Sequence, residues 1–156
     1  MADYAVLLGK KLQLSDKDLK TLEEAALFHD IGKIGVGDYL LQKPDFLTSE
    51  EYQVIKAHPV IGSRIVESMA FYGEQSKIVR YHHEHWDGSG YPEGLKGEEI
   101  PLLARILTVA DVYDALTSDR PYRKSLTLIE AKSIMLNSKR KSLDPDLVDL
   151  FFDILK

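Results

Sequence analysis

Signals that start helices recur along this chain and signals for strands do not, an asymmetry that restricts the fold more than any other feature. Ser15 offers an N-cap ahead of Asp16 to Ile31, where Leu19, Leu22, Ala26, Leu27 and Phe28 form the apolar side and Gly32 is the expected C-cap. Thr48 with Glu51 and Thr127 with Glu130 each read as a capping box, the hydroxyl accepting from the third helical amide while the carboxylate reaches back. Pro59 opens a helix after His58, Glu74 to Glu84 reads as another, Leu102 to Leu116 is the densest apolar stretch, and Asp144-Pro145 caps the last. Tyr4, Leu7, Leu8 and Leu12 already recur at helical spacing at the start, with no cap before them. No alternating strand of four or more residues and no internal repeat is visible, so the expected fold is all-α, one domain over residues 1–156.

Between Asp87 and Pro101 lie four glycines and two prolines, a connection longer than the usual length of about 4–6 residues and a candidate functional loop in which no regular element is expected. With no cysteine in the chain, disulfides, thiolate metal sites and cysteine nucleophiles are excluded, so a metal must sit on imidazole and carboxylate. A net charge of −5 argues against broad binding to a nucleic-acid backbone, and an anionic substrate needs a local positive site. No apolar run approaches the roughly 20 residues of a membrane helix and no secretory signal opens the chain, which leads to the expectation of a cytoplasmic location.

Four of the five histidines begin or end helices in apolar company. His29-Asp30, His58, His82-His83 and Asp111 supply four imidazoles and two carboxylates, a donor set suited to two divalent cations. Taken singly, each histidine is better explained as a helix-end residue satisfied by a backbone carbonyl; the set together points to metal.

The run His29-Asp30-Ile31-Gly32-Lys33 resembles the HDxGK signature of the HD phosphohydrolase superfamily. His58-Pro59 with Gly62, His82-His83-Glu84 leading through Asp87-Gly88 to Gly90-Tyr91-Pro92, then Ala110-Asp111 and Arg120-Pro121-Tyr122-Arg123, resemble the HD-GYP subfamily in the same order. That resemblance implies a single-domain helical HD fold with a Gly/Pro-rich GYP loop, and a metal-dependent phosphodiesterase that hydrolyses cyclic di-GMP to pGpG and/or GMP by attack of a metal-held hydroxide at phosphorus. It also implies two divalent cations, iron or manganese favoured and zinc or nickel compatible, with an upstream sensor or receiver domain and a possible homodimer. Alternatives are a catalytically degenerate HD-GYP interaction module, or a hydrolase of another cyclic dinucleotide.

Carried over residue by residue, the resemblance makes Asp30 the carboxylate between two metals, with His29 and Asp111 on one and His58, His82 and His83 on the other. Lys33 becomes a catalytic cation on a non-bridging phosphate oxygen, although a lysine at a helix end also answers the helix dipole. Tyr91, Arg120 and Arg123 are expected to contact substrate, by stacking and by guanidinium forks, and Asp114 to hold a ligand or Lys33. Two departures stand out. A further ligand histidine of the family aligns about four residues before Met1, so the first helix is expected to be truncated at its N-terminus. Asn137-Ser138-Lys139-Arg140 stands where relatives often carry glycine before the final Asp-Pro.

Overall fold

The computed structural model describes residues 1–155 apart from 44, 70–71 and 120–123. Its helices are α1 (Ala2–Lys11), α2 (Asp16–Phe28), α3 (Asp38–Leu41), α4 (Ser49–Lys56), α5 (His58–Ser68), α6 (Gly73–Tyr81), α7 (Leu102–Thr117), α8 (Leu128–Asn137) and α9 (Pro145–Ile154), with 3-10 turns at Ile31–Gly35 and Gly97–Glu99. Among the described residues there is no β-strand, only isolated bridges pairing Asp87 with Lys96 and Lys139 with Leu143.

The N-caps read from sequence are present. Ser15 accepts from the Asp18 amide at 3.1 Å, both Thr48–Glu51 and Thr127–Glu130 close their boxes, and the Asp144 carboxylate takes the amides of Asp146 and Leu147. These bonds satisfy amides that a helix start leaves without partners. α7 is buried on most of its circumference, through Ala104, Ile106, Leu107, Thr108, Val109, Ala110 and Tyr113, which makes it the central helix. Around it α1, α2, α8 and α9 contribute Leu8, Leu22, Met135 and Phe151, each buried completely and each stabilising the fold by about 1.5–3 kcal/mol. The rings of Tyr4, Tyr113 and Phe151 meet edge to face, fixing α1 against α7 and α9. On the other flank α5 packs on α6 and on the Ile31–Gly35 turn, and α6 reaches α2 and α7.

Three boundaries differ from the sequence reading. α2 stops at Phe28, and Gly32 lies inside a 3-10 turn and is not a C-cap. Its role is proximity: a Cβ on Gly32 would lie 1.9 Å from the His58 carbonyl oxygen and 2.5 Å from the Gly62 amide. Only glycine lets the turn after His29-Asp30 lie directly on the start of α5. α6 ends at Tyr81, before the histidine pair, and the glycine-rich loop contains one 3-10 turn after all, at Gly97–Glu99.

Candidate metal centre

Three imidazoles are each held by the same device. The Nδ1 of His29 lies 2.8 Å from the Ala26 carbonyl, that of His58 2.8 Å from Ile55, and that of His82 2.7 Å from Val79. A carbonyl only accepts, so a proton sits on each Nδ1 and the Nε2 edge of each ring is turned outward. Burial, its largest cause, lowers the pKa of His58 and that of His82, and pushes His83 down to about 3, so His58, His82 and His83 are neutral near pH 7 and present a bare Nε2 lone pair where Nδ1 holds the proton. The Nε2 atoms of His58 and His82 are buried without any hydrogen-bond partner. A buried lone pair left unmet costs stability unless something fills its place.

Ligand atoms of His58, His82 and His83 all lie within 4.8 Å of one another, a spacing and donor type suited to one divalent cation. Asp30 joins this group to the rest of the expected set. Its Oδ1 is 3.4 Å from His58 Nε2, its Oδ2 is 3.4 Å from His29 Nε2, and Asp111 Oδ1 approaches His29 Nε2 at 3.7 Å. Thus one carboxylate faces imidazoles on both sides, as a group shared between two cations must. Burial alone would raise the pKa of Asp30; the Lys33 hydrogen bond and, in the acid range where Asp30 titrates, the positive charges of His29, Lys33 and His58 outweigh it, and the net shift is downward. The six residues come from the end of α2, the start of α5, the turn after α6 and the middle of α7, so four helices converge here.

Lys33 donates to Asp30 Oδ2 at 2.6 Å, which places its ammonium at the edge of the cluster. Asp114 does not hold Lys33; its carboxylate accepts from the Met1 amine at 2.8 Å. Tyr91 stacks on His83, ring centroids 5.0 Å apart and planes 24° apart, and lies under the Lys56 ammonium at 4.8 Å. Burial raises the pKa of its hydroxyl, so Tyr91 is a neutral donor. Arg120 and Arg123 lie outside the described residues.

Two supporting residues carried no role in the sequence reading. Glu84 follows the histidine pair and is fully buried; its carboxylate accepts the amides of Glu93, Gly94 and Leu95 at 2.7, 3.1 and 3.0 Å. Together with the Tyr91 amide on the His83 carbonyl at 3.1 Å, these bonds lay the glycine-rich loop over the ligand turn. Gly90 permits the contact, since a Cβ there would be 2.2 Å from the His85 amide. Thr108, a buried hydroxyl within the apolar α7, donates to the His82 carbonyl at 2.8 Å and so ties the ligand turn to the central helix. Its polarity amid apolar neighbours was the visible signal; the acidic residue beside two histidines was the other. Arg105 is structural, paired with Asp144 at 2.7 Å and lying over Trp86.

The HD domain family model matches residues 1–147. A cyclic di-GMP phosphodiesterase response regulator, RpfG of Xanthomonas campestris, is 42% identical over 96% of this chain and 40% of its own length. The 3'3'-cGAMP-specific phosphodiesterase 3 of Vibrio cholerae is 38% identical over 94% of this chain and 32% of its own. Among solved structures, an HDG"Y"P protein from Bdellovibrio bacteriovorus superposes with a TM-score of 0.79 at 25% identity, covering 99% of this chain and 49% of that one. The chain therefore belongs to the HD domain family, in its HD-GYP branch. It spans about a third to two fifths of the length of these curated relatives. No helix among the described residues is long and apolar enough to cross a membrane.

Proposed function

We propose that this domain is a phosphodiesterase that opens a cyclic dinucleotide, cyclic di-GMP in the first place, to the linear pGpG and/or GMP. The observation that carries the reading is the pair of buried, partnerless Nε2 atoms of His58 and His82 beside the two-faced carboxylate of Asp30. The donor set fits divalent cations, with His58, His82 and His83 assigned to one, His29 and Asp111 to a second, and Asp30 to both. Iron or manganese is the favoured pair, and zinc or nickel suits the same ligands. When bound, such cations supply Lewis acidity toward phosphoryl oxygens and acidify water at neutral pH.

The chain's own residues do the remaining work. Asp30 orients the Lys33 ammonium, which passes from its carboxylate to a non-bridging phosphate oxygen as charge builds there. Glu84 fixes the loop, the loop fixes Tyr91, and Tyr91 closes the face of His83 against water. Arg120 and Arg123 are assigned to phosphate oxygens and Asp114 to the rim of the substrate site. Within a longer signalling protein the domain, residues 1–156, serves as the output end, with an upstream sensor or receiver domain, and a homodimer is compatible with that role; a relative named as a response regulator supports the receiver domain.

Relatives named as 3'3'-cGAMP-specific favour a second reading in which the preferred ring carries one adenine. Turnover of cyclic di-GMP and 3'3'-cGAMP, measured side by side on protein loaded with manganese or ferrous iron, tests both. Hydrolysis of either that disappears in Asp30→Ala supports the phosphodiesterase, and the ratio of kcat/KM values selects the ring. Metal-loaded protein that hydrolyses neither is an interaction module.

A further inference from the structure

The chain is acidic overall, and the cations around the histidines differ in their partners. Lys33 is paired with Asp30. Lys56 has only ring faces: its ammonium sits 4.8 Å from the centroid of Tyr91 and 5.7 Å from that of Tyr52, and among the described residues no carboxylate pairs with it. Tyr52 and Lys56 are four apart on α4 and so share a face, while Tyr91 arrives from the glycine-rich loop. The column His83, Tyr91, Lys56, Tyr52 thus runs outward from the buried imidazoles to a ring that is 48% exposed.

The placement of α4 is not accidental in energetic terms. Its first turn is closed by the Thr48–Glu51 box, and Lys43 grips Glu51 at 2.6 Å. Its last residue, Lys56, is two before His58, with Ala57 alone joining α4 to α5. Lys56 is therefore positioned by the same backbone that positions a ligand imidazole. A positive charge held one ring away from a cation-binding cluster favours a ligand that carries an anionic group at each of the two places.

We propose that Lys56, with Tyr52, forms the subsite for the half of the cyclic dinucleotide that is not being cut. Such a ring carries two phosphodiesters and two purines; while one phosphodiester lies at the histidine cluster, the Lys56 ammonium meets the other and the exposed Tyr52 ring takes a purine face. Tyr91, already stacked on His83, is the spacer between the two phosphate sites. This inference rests on the phosphodiesterase reading and adds to it why a two-phosphate ring is preferred over a simple diester.

The test compares the parent with Lys56→Gln, Lys56→Arg and Tyr52→Ala. It uses steady-state kinetics on cyclic di-GMP and on bis(p-nitrophenyl) phosphate, which has a single phosphodiester, together with equilibrium binding of cyclic di-GMP and metal content. Lys56→Gln should raise KM and Kd for cyclic di-GMP about tenfold with kcat nearly kept, and the loss on the single diester should be much smaller. Lys56→Arg should recover most of the binding, and Tyr52→Ala should weaken it about tenfold while metal content holds. Equal losses on the two substrates, or unchanged KM for the ring, overturn the subsite while the phosphodiesterase stands. A metal-loaded parent that neither binds nor cuts the ring overturns both together.

Discussion

Asp30 is the residue on which most of the site converges: each oxygen faces a different imidazole at 3.4 Å, and one of them also receives Lys33 at 2.6 Å. Removing it should affect everything it joins. Asp30→Ala is expected to abolish hydrolysis and lower metal content to a small fraction of the parent's, whereas His29→Ala should remove mainly the metal it shares with Asp111; metal analysis of the purified variants distinguishes them. Equal metal in Asp30→Ala and the parent rules out the shared-ligand role. Lys33→Ala should keep its metal and lose about 10²–10³-fold in kcat, as expected for loss of one contact that strengthens in the transition state. The sequence carried the identities of these residues through their ordered motifs. What it left open was whether the histidines are helix-end residues bonded to carbonyls or ligands, and for His29, His58 and His82 the first holds through Nδ1, while the bare Nε2 of His58 and His82 leaves the second open to them. Only the direction in which each ring points joins the two descriptions, and no spacing rule encodes it.

At the scale of elements, the glycine-rich loop depends on one buried carboxylate. Glu84→Gln preserves size but turns an amide donor toward a cluster of three backbone donors, so at least one loop amide loses its acceptor. A loss of about 1–3 kcal/mol in stability is expected, with a rise in KM for the cyclic dinucleotide as Tyr91 leaves its place on His83. Chemical denaturation and kinetics on the same variant check both; unchanged kinetics would remove Glu84 from loop positioning. A second element-level feature is the bend after α8, where exposed Arg140 adopts φ +61°, a left-handed conformation unfavourable to any side chain with a Cβ. The sequence had marked this segment as lacking an expected glycine, and the backbone supplies the reason. Arg140→Gly relieves about 1–2 kcal/mol of strain and returns part of it to the unfolded chain, so a net gain of about 0.5–1 kcal/mol in denaturation is expected. Helix starts were legible because caps are local chemistry. The end of α2 was not, because Gly32 answers to the His58 carbonyl, 26 residues further along the chain, and not to its own helix.

For the molecule as a whole, α1, α2, α7, α8 and α9 bury the apolar core, while the flank of α5 and α6 carries neutral imidazoles at its junction with them. That division links folding to protons and to metal. Burial lowers the pKa of His58, of His82 and of His83, the last to about 3, below the value near 6.5 that histidine has in an unfolded chain. In the window between the folded and unfolded values the unfolded chain binds more protons, so stability rises with pH through it and is lost as pH falls below about 6.5. Metal-free protein should therefore show a falling Tm from pH 7 to pH 4.5, a range that ends above the region where Asp30, whose pKa is lowered from 3.8, begins to protonate. Divalent metal binds the same lone pairs, so adding manganese at pH 7.5 should raise Tm in proportion to the logarithm of free metal, and the increment should shrink toward pH 5 as protons compete for Nε2. Thermal melts over a grid of pH and manganese concentration read both slopes at once. A Tm that is flat in pH without metal would show that the imidazoles are not buried as neutral rings, and a manganese effect that persists undiminished at pH 5 would show that they are not the groups that bind the metal.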